Sequence, residues 1–325
     1  MDQIFRPFER LNFSDKICFL SGEQLLEKHK ITVFGQWLLD EFNLRDKPFK
    51  LLDESIITYQ DIKVPCSQNS FEAIKKLENT IEKAFKEGYD AVKQLDELLL
   101  FQWMAKIVYG LIYHETITGI RQQAAIGERF NFSQSLVHKF SNFHLMLQSL
   151  ARPVEFEGQL PWSISVFPVN NAGQTFSYRD EINTLTFSIR MNDFGIIANL
   201  QDNGANKKFH QQILKESAGK TLHPIQFEEL CARFYYSAYL FNRLPDYTIL
   251  PTADTIFIES MPLQSISSKP VFDTWQVKTY GQVLENFWKP WGYSLFEIIK
   301  DPEAPMSFIT SHEATFNDCK NLALA

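Results

Sequence analysis

The stretch from Leu98 to Tyr113 constrains this fold more than any other feature. Its side chains are apolar on nearly every face, with Gln102 and Lys106 as interruptions. A helix that is apolar all round belongs in the middle of a core. The run falls short of the roughly 20 residues needed to span a bilayer, so the expected setting is a protein interior, with no membrane. The rest of the composition agrees with a large core. Hydrophobic residues make up 45% of the 325, charged residues 22%, and 29 phenylalanines are spread along the whole chain. That length predicts two domains or one large composite one.

Helical spacing surrounds the central run. Phe71, Ile74, Leu77, Ile81 and Phe85 form one apolar stripe, and Gly88 marks the end of that helix. A second helix is expected from Asp90 to about Glu115. A third begins with Ser133 as its N-cap, runs to Leu150 and buries Leu136, Val137, Phe140, Phe143 and Leu147. A shorter helix is expected over 35–42, with Ser55 to Tyr59 as a strand. The pattern changes near Pro153. Trp162, Ile164 and Val166 alternate with polar residues, as do Leu185, Phe187, Ile189 and Met191. An Asn192-Asp193 turn then leads into a return strand from Gly195 to Leu200. A helix from Gln226 to Phe241 and a strand at Thr255 to Ile258 follow. The reading is α+β, with an antiparallel sheet built from residues 160–200 and 250–260.

Four cysteines, at 18, 66, 231 and 319, are too dispersed for a disulfide framework. The first residues lack the apolar core of a secretion signal. A reduced, cytoplasmic setting is expected. The formal charge is −7, and neither side of a cut at residue 150 is basic. Such a balance weighs against broad attraction to phosphate backbones.

Two of the cysteines begin truncated knuckles. Cys18-Phe19-Leu20-Ser21-Gly22 and Cys66-Ser67-Gln68-Asn69-Ser70 each open like a C-x-x-C pair, and each lacks the closing thiol. Tetrahedral zinc takes four nitrogen or sulfur ligands, and each of these knuckles retains one thiolate. His29 lies between them. Other fragments fail as motifs. His114-Glu115 is followed by Thr118 where a zinc protease places histidine, and Gly219-Lys220-Thr221 has Leu214 where a P-loop begins with glycine. Phe287, Trp288, Trp291 and Tyr293 read as aromatic closure of a core rather than a stacking platform.

Over roughly residues 16–113 this arrangement resembles the bacterial HNH endonuclease family, whose ββα-metal fold is braced by zinc on two C-x-x-C knuckles. The resemblance places Cys18 and Ser21 on the first knuckle, Lys28 and His29 on the acid-histidine pair, and Cys66 and Asn69 on the second. Ser70 then stands where the family has asparagine. It implies a degenerate HNH-like region plus helical bundle over 1–152, packed on an antiparallel-sheet region over 153–325. In the family the histidine is the general base that deprotonates the attacking water, and a metal stabilises the developing charge. Here Lys28 puts a cation where an acidic ligand belongs, and Ser21 and Asn69 replace two thiolates. The expectation is therefore a non-catalytic, zinc-free relic acting as a binding or interaction protein, with no cofactor and Cys18 and Cys66 as relic positions. The alternative is an active nuclease using magnesium or manganese, with His29 as general base, Glu27 or Glu78 rebuilding the metal site, and nucleic acid as partner.

Overall fold

In the computed structural model, which describes residues 4–27, 29–171, 176–301, 305–310, 316, 317 and 319, the chain has a mixed α+β architecture. Its first part contains β1 (Lys30–Thr32), α1 (Gln36–Glu41), β2 (Pro48–Lys50), β3 (Ile56–Thr58), β4 (Lys63–Pro65) and α2 (Gln68–Glu87). Next come α3 (Tyr89–Gln94), α4 (Glu97–Ala125), α5 (Gln134–Leu147) and β5 (Val154–Glu157). The strands β6 (Ser163–Pro168), β7 (Ser177–Glu181), β8 (Thr186–Met191) and β9 (Phe194–Asn199) precede α6 (Ala205–Phe209), α7 (Gln211–Ser217) and α8 (Pro224–Leu240). The last elements are β10 (Tyr247–Pro251), β11 (Ile256–Ser260), α9 (Leu263–Ile266), α10 (Val277–Phe287) and α11 (Leu295–Ile298). Among the described residues no helix is long and apolar enough to cross a membrane.

The chain divides into two compact units: 1–84 with 95–158 and 246–261, and 85–94 with 159–245 and 262–325. In the first unit α4 is the axis, and every residue from Leu100 to Tyr113 is buried. The helix expected from Asp90 onward is in fact two, α3 and α4. The Asp96 side chain accepts the Leu98 N–H and starts α4 afresh. Lys106 is tolerated in this apolar helix because its ammonium donates to Val33 O at 2.8 Å and pairs with the Glu78 carboxylate. The other oxygen of Glu78 accepts the indole N–H of Trp37 at 2.6 Å. Ser133 caps α5 as expected, accepting the Leu136 N–H at 3.3 Å. Strands β1 and β4 pair antiparallel, Ile31 opposite Val64, and α2 follows directly.

The second unit holds an antiparallel sheet in the order β6-β9-β8-β7. The strand near 256–260 does not join it. β11 pairs parallel with β5 and antiparallel with β10, inside the first unit, which corrects the single sheet expected from 160–200 and 250–260. Helix α8 covers the sheet, opened by Pro224 and a capping box between His223 and Gln226. Beneath and beside it Phe167, Ile197, Leu230, Phe234, Leu284 and Trp288 form one core. The face of β8 expected to be solvated is buried. Arg190 and Ser188 lie at 7% and 3% exposure, because α8 supplies partners: Tyr235 Oη lies 3.2 Å from Ser188 Oγ, and Glu228 lies 3.7 Å from Arg190. A polar residue on a strand buried on both faces needs such a partner.

Candidate functional site

The two truncated knuckles meet. The first is a tight reversal in which Cys18 N–H donates to Glu23 O at 2.8 Å and Gly22 N–H donates to Cys18 O at 3.0 Å. Gly22 sits at φ +76°, and a Cβ there would collide with the Phe5 ring, so only glycine fits. The reversal is joined to the end of β4 by Phe19 N–H donating to Pro65 O at 2.9 Å. Cys66 follows at the step into α2, where the Ser67 hydroxyl accepts the Ser70 N–H at 3.4 Å.

Cys18 and Cys66 are both fully buried, and the two thiols are close enough to shift each other's ionisation. The Cys18 sulfur also has the Ser70 hydroxyl at 3.3 Å and contacts to the Ser21 hydroxyl and N–H. The Cys66 thiol, followed by those hydroxyl and amide groups, holds the Cys18 thiol well below the ordinary cysteine range in spite of burial. Adjacency to Cys18 together with burial pushes the Cys66 thiol up. The result is a buried cage of two sulfurs centred on Cys18, with the Ser70 hydroxyl bonded to that sulfur, the Ser67 hydroxyl bonded to Ser70 and the Cys66 thiol donating to Ser67 O at 3.5 Å.

Ser70 occupies the cage position that the spacing assigned to Asn69. Asn69 is exposed, whereas Ser70 is 1% exposed and faces Cys18. The reason is helical: α2 has already begun at Gln68, and its first turn carries residue 70 inward.

His29 is exposed and lies just before β1, opposite Cys66. Its carbonyl accepts the Cys66 N–H at 3.1 Å, and its Nδ1 lies 3.0 Å from Cys66 O. A carbonyl only accepts, so Nδ1 donates to it, and in the neutral ring this leaves the lone pair on Nε2. The ring edge meets Phe71 at 5.5 Å. Neither carboxylate considered for a rebuilt metal site joins it. Glu27 is exposed and its side chain makes no hydrogen bond or ion pair among the described residues, and Glu78 is occupied by Lys106 and the two indoles of Trp37 and Trp103. Among the described residues no group of three or more His, Cys, Asp or Glu side chains is placed to hold a metal ion. Lys28 lies outside the described residues.

One residue that the spacing did not single out organises the cage. His144, on α5 and 1% exposed, lies 3.2 Å from both Phe19 O and Leu20 O through Nε2. Burial lowers its pKa to about 4, against the pull of those carbonyls. The available signal was its position in the Phe140-Phe143-Leu147 stripe, which places it inward.

The second unit contains a serine and a histidine in contact. His210 Nε2 lies 2.9 Å from Ser237 Oγ, which donates to Asn206 Oδ1 at 2.6 Å, and Asn206 donates to Asp202 at 3.0 Å. An asparagine stands between the acid and the rest, and Ser237 is fully buried. Burial and nearby Arg233 lower the pKa of His210 to about 3, and burial raises that of Asp202 to about 6. This chain of buried polar groups ties α6 to α8. Trp288 and Phe287 are buried, Trp288 with its indole N–H on Ile225 O at 3.1 Å, so the late aromatic residues close a core.

No protein-family model, no curated protein and no solved structure matches this chain.

Proposed function

We propose that this chain is a non-catalytic, zinc-free descendant of an HNH endonuclease that now acts as a binding or interaction protein. One observation carries the reading. The Cys18 and Cys66 thiols are buried together from two distant segments, and the Cys18 sulfur is bonded to the Ser70 hydroxyl, which in turn meets the Ser67 hydroxyl. A serine hydroxyl does not ionise near neutral pH and is a poor ligand for zinc. Hydrogen bonds now join what a metal would otherwise join. The order β1, β4, α2, with His29 beside β1, supports the same descent.

Restoring the missing thiols tests this. Ser21→Cys with Ser70→Cys should bind one zinc per chain, whereas the native protein should purify without it. Stoichiometric zinc in the native protein, or DNA cleavage with added magnesium or manganese, would overturn the reading.

The second reading is an active metal-dependent nuclease. It is favoured by the Nε2 of His29, which has no partner among the described residues and so is available as a base. It requires His29→Ala to abolish metal-dependent cleavage. Among the described residues no cysteine is in a disulfide, which supports a cytoplasmic setting for either reading.

A further inference from the structure

We propose that the first unit binds a small organic phosphate of nucleotide size in the cleft between the Cys18 reversal and the β10–β11 turn. The proposal is independent of whether nuclease chemistry was lost. The cleft encloses about 960 Å³, within the size range of small-molecule sites. Its lining includes Ser21 and Gly22 of the knuckle and residues 251–256 of the β10–β11 turn.

Charge selects the ligand. Arg6, Arg10 and Arg152 line the cleft against Glu9 and Asp254, in a chain whose net charge is −7. Glu9 is engaged by Arg6 at 3.3 Å, so the lining carries three guanidinium groups against two carboxylates. The Arg10 guanidinium makes no hydrogen bond or ion pair among the described residues. A guanidinium fork matches the geometry of a phosphate and outperforms a point charge there. Phe5 and Pro153 add apolar surface for a planar organic group. Within the β10–β11 turn Thr252 Oγ1 donates to Thr255 O at 2.9 Å and accepts the Thr255 N–H at 3.2 Å.

The test is isothermal titration of the full chain with AMP, inorganic phosphate and adenosine. AMP is expected to bind with a sub-millimolar Kd and more tightly than either of its parts. Arg10→Ala should weaken AMP about tenfold, the loss of one charge-assisted contact. Arg10 is exposed, so this variant is expected to keep the wild-type melting temperature. Absence of AMP binding to the wild type would overturn the proposal. Unchanged affinity in a folded Arg10→Ala variant, or adenosine binding as tightly as AMP, would overturn it equally.

Discussion

The Nε2 nitrogen of His144 lies 3.2 Å from the carbonyl oxygen of Phe19 and equally far from that of Leu20. Since both partners only accept, Nε2 carries the proton, and a neutral histidine fixes the cysteine reversal onto α5. Replacing it with phenylalanine keeps the bulk but leaves two buried carbonyls without a donor. Each orphaned group costs about 1–3 kcal/mol. His144→Phe should therefore lose about 3 kcal/mol in urea unfolding, and restored stability in His144→Gln, which keeps a donor, would identify the hydrogen bond as the cause.

The same residue sets a pH dependence. Its folded pKa of about 4 lies below the ordinary 6.5, so the unfolded chain binds more protons between those values. Its stabilising contribution is complete above pH 6.5 and is lost as pH falls toward 4, about 3 kcal/mol in all. His210, lowered to about 3, acts in the same direction. Asp202, raised to about 6, acts in the opposite one, its contribution being lost as pH rises from about 4 to 6. The difference in unfolding free energy between wild type and His144→Gln, measured across pH 4 to 7, isolates the histidine. That difference should grow as pH rises, and a flat one would show that His144 does not titrate with folding.

Lys106 and Glu78 make a buried ion pair with further hydrogen bonds on both sides: Val33 O accepts from the ammonium, and the indoles of Trp37 and Trp103 donate to the carboxylate. Removing one partner strands the other charge. Lys106→Met should cost about 3–5 kcal/mol, and the double variant with Glu78→Gln should cost less than the single one. Tryptophan fluorescence during denaturation reads both, since Trp37 and Trp103 sit on the pair. A double variant no more stable than the single one would exclude charge burial as the source.

Much of this architecture was legible in the residues. The stripe of α2, the Ser133 cap of α5 and the β8–β9 hairpin all follow from short-range patterns that local physics enforces. What failed depended on distant partners. The alternation in β8 marks Ser188 and Arg190 as solvent-facing, yet Tyr235 and Glu228 come from a helix some forty residues later and make burial tolerable. The parallel pairing of β5 with β11 joins segments about a hundred residues apart, and nothing in either segment announces it. The truncated knuckles mark Cys18 and Cys66, but their spacing points to Asn69 where Ser70 faces Cys18, because spacing alone does not reveal where α2 begins.

Gly88 ends α2 at φ +92°, and the next N–H, of Tyr89, donates to the Asp193 carboxylate at 2.8 Å. A Cβ at position 88 would stand 2.7 Å from that same oxygen. Gly88→Ala therefore combines a left-handed backbone penalty of about 1 kcal/mol with displacement of the Asp193 cap. Asp193→Ala alone should lose the cap and relieve the clash, so the two substitutions should be less than additive by thermal melting. Strict additivity would separate the two residues energetically.

Glu229 holds the C-terminal segment to α8. Its carboxylate is fully buried and accepts from Phe308 N–H at 2.7 Å, Ile309 N–H at 3.2 Å, the Ser307 hydroxyl at 2.8 Å and the Arg233 guanidinium at 2.8 Å. A carboxylate with this many donors is replaced by an amide only with the loss of two of them, since an amide nitrogen cannot accept. Glu229→Gln should release residues 307–310 from the helix while α8, held by Leu230 and Phe234 in the core, stays folded. Hydrogen exchange at the amides of Phe308 and Ile309 should then quicken about a hundredfold, corresponding to about 3 kcal/mol of lost local stability. Exchange in the α8 amides should be unchanged. Equal acceleration in both would mean that Glu229 supports the helix itself rather than anchoring the segment that crosses it.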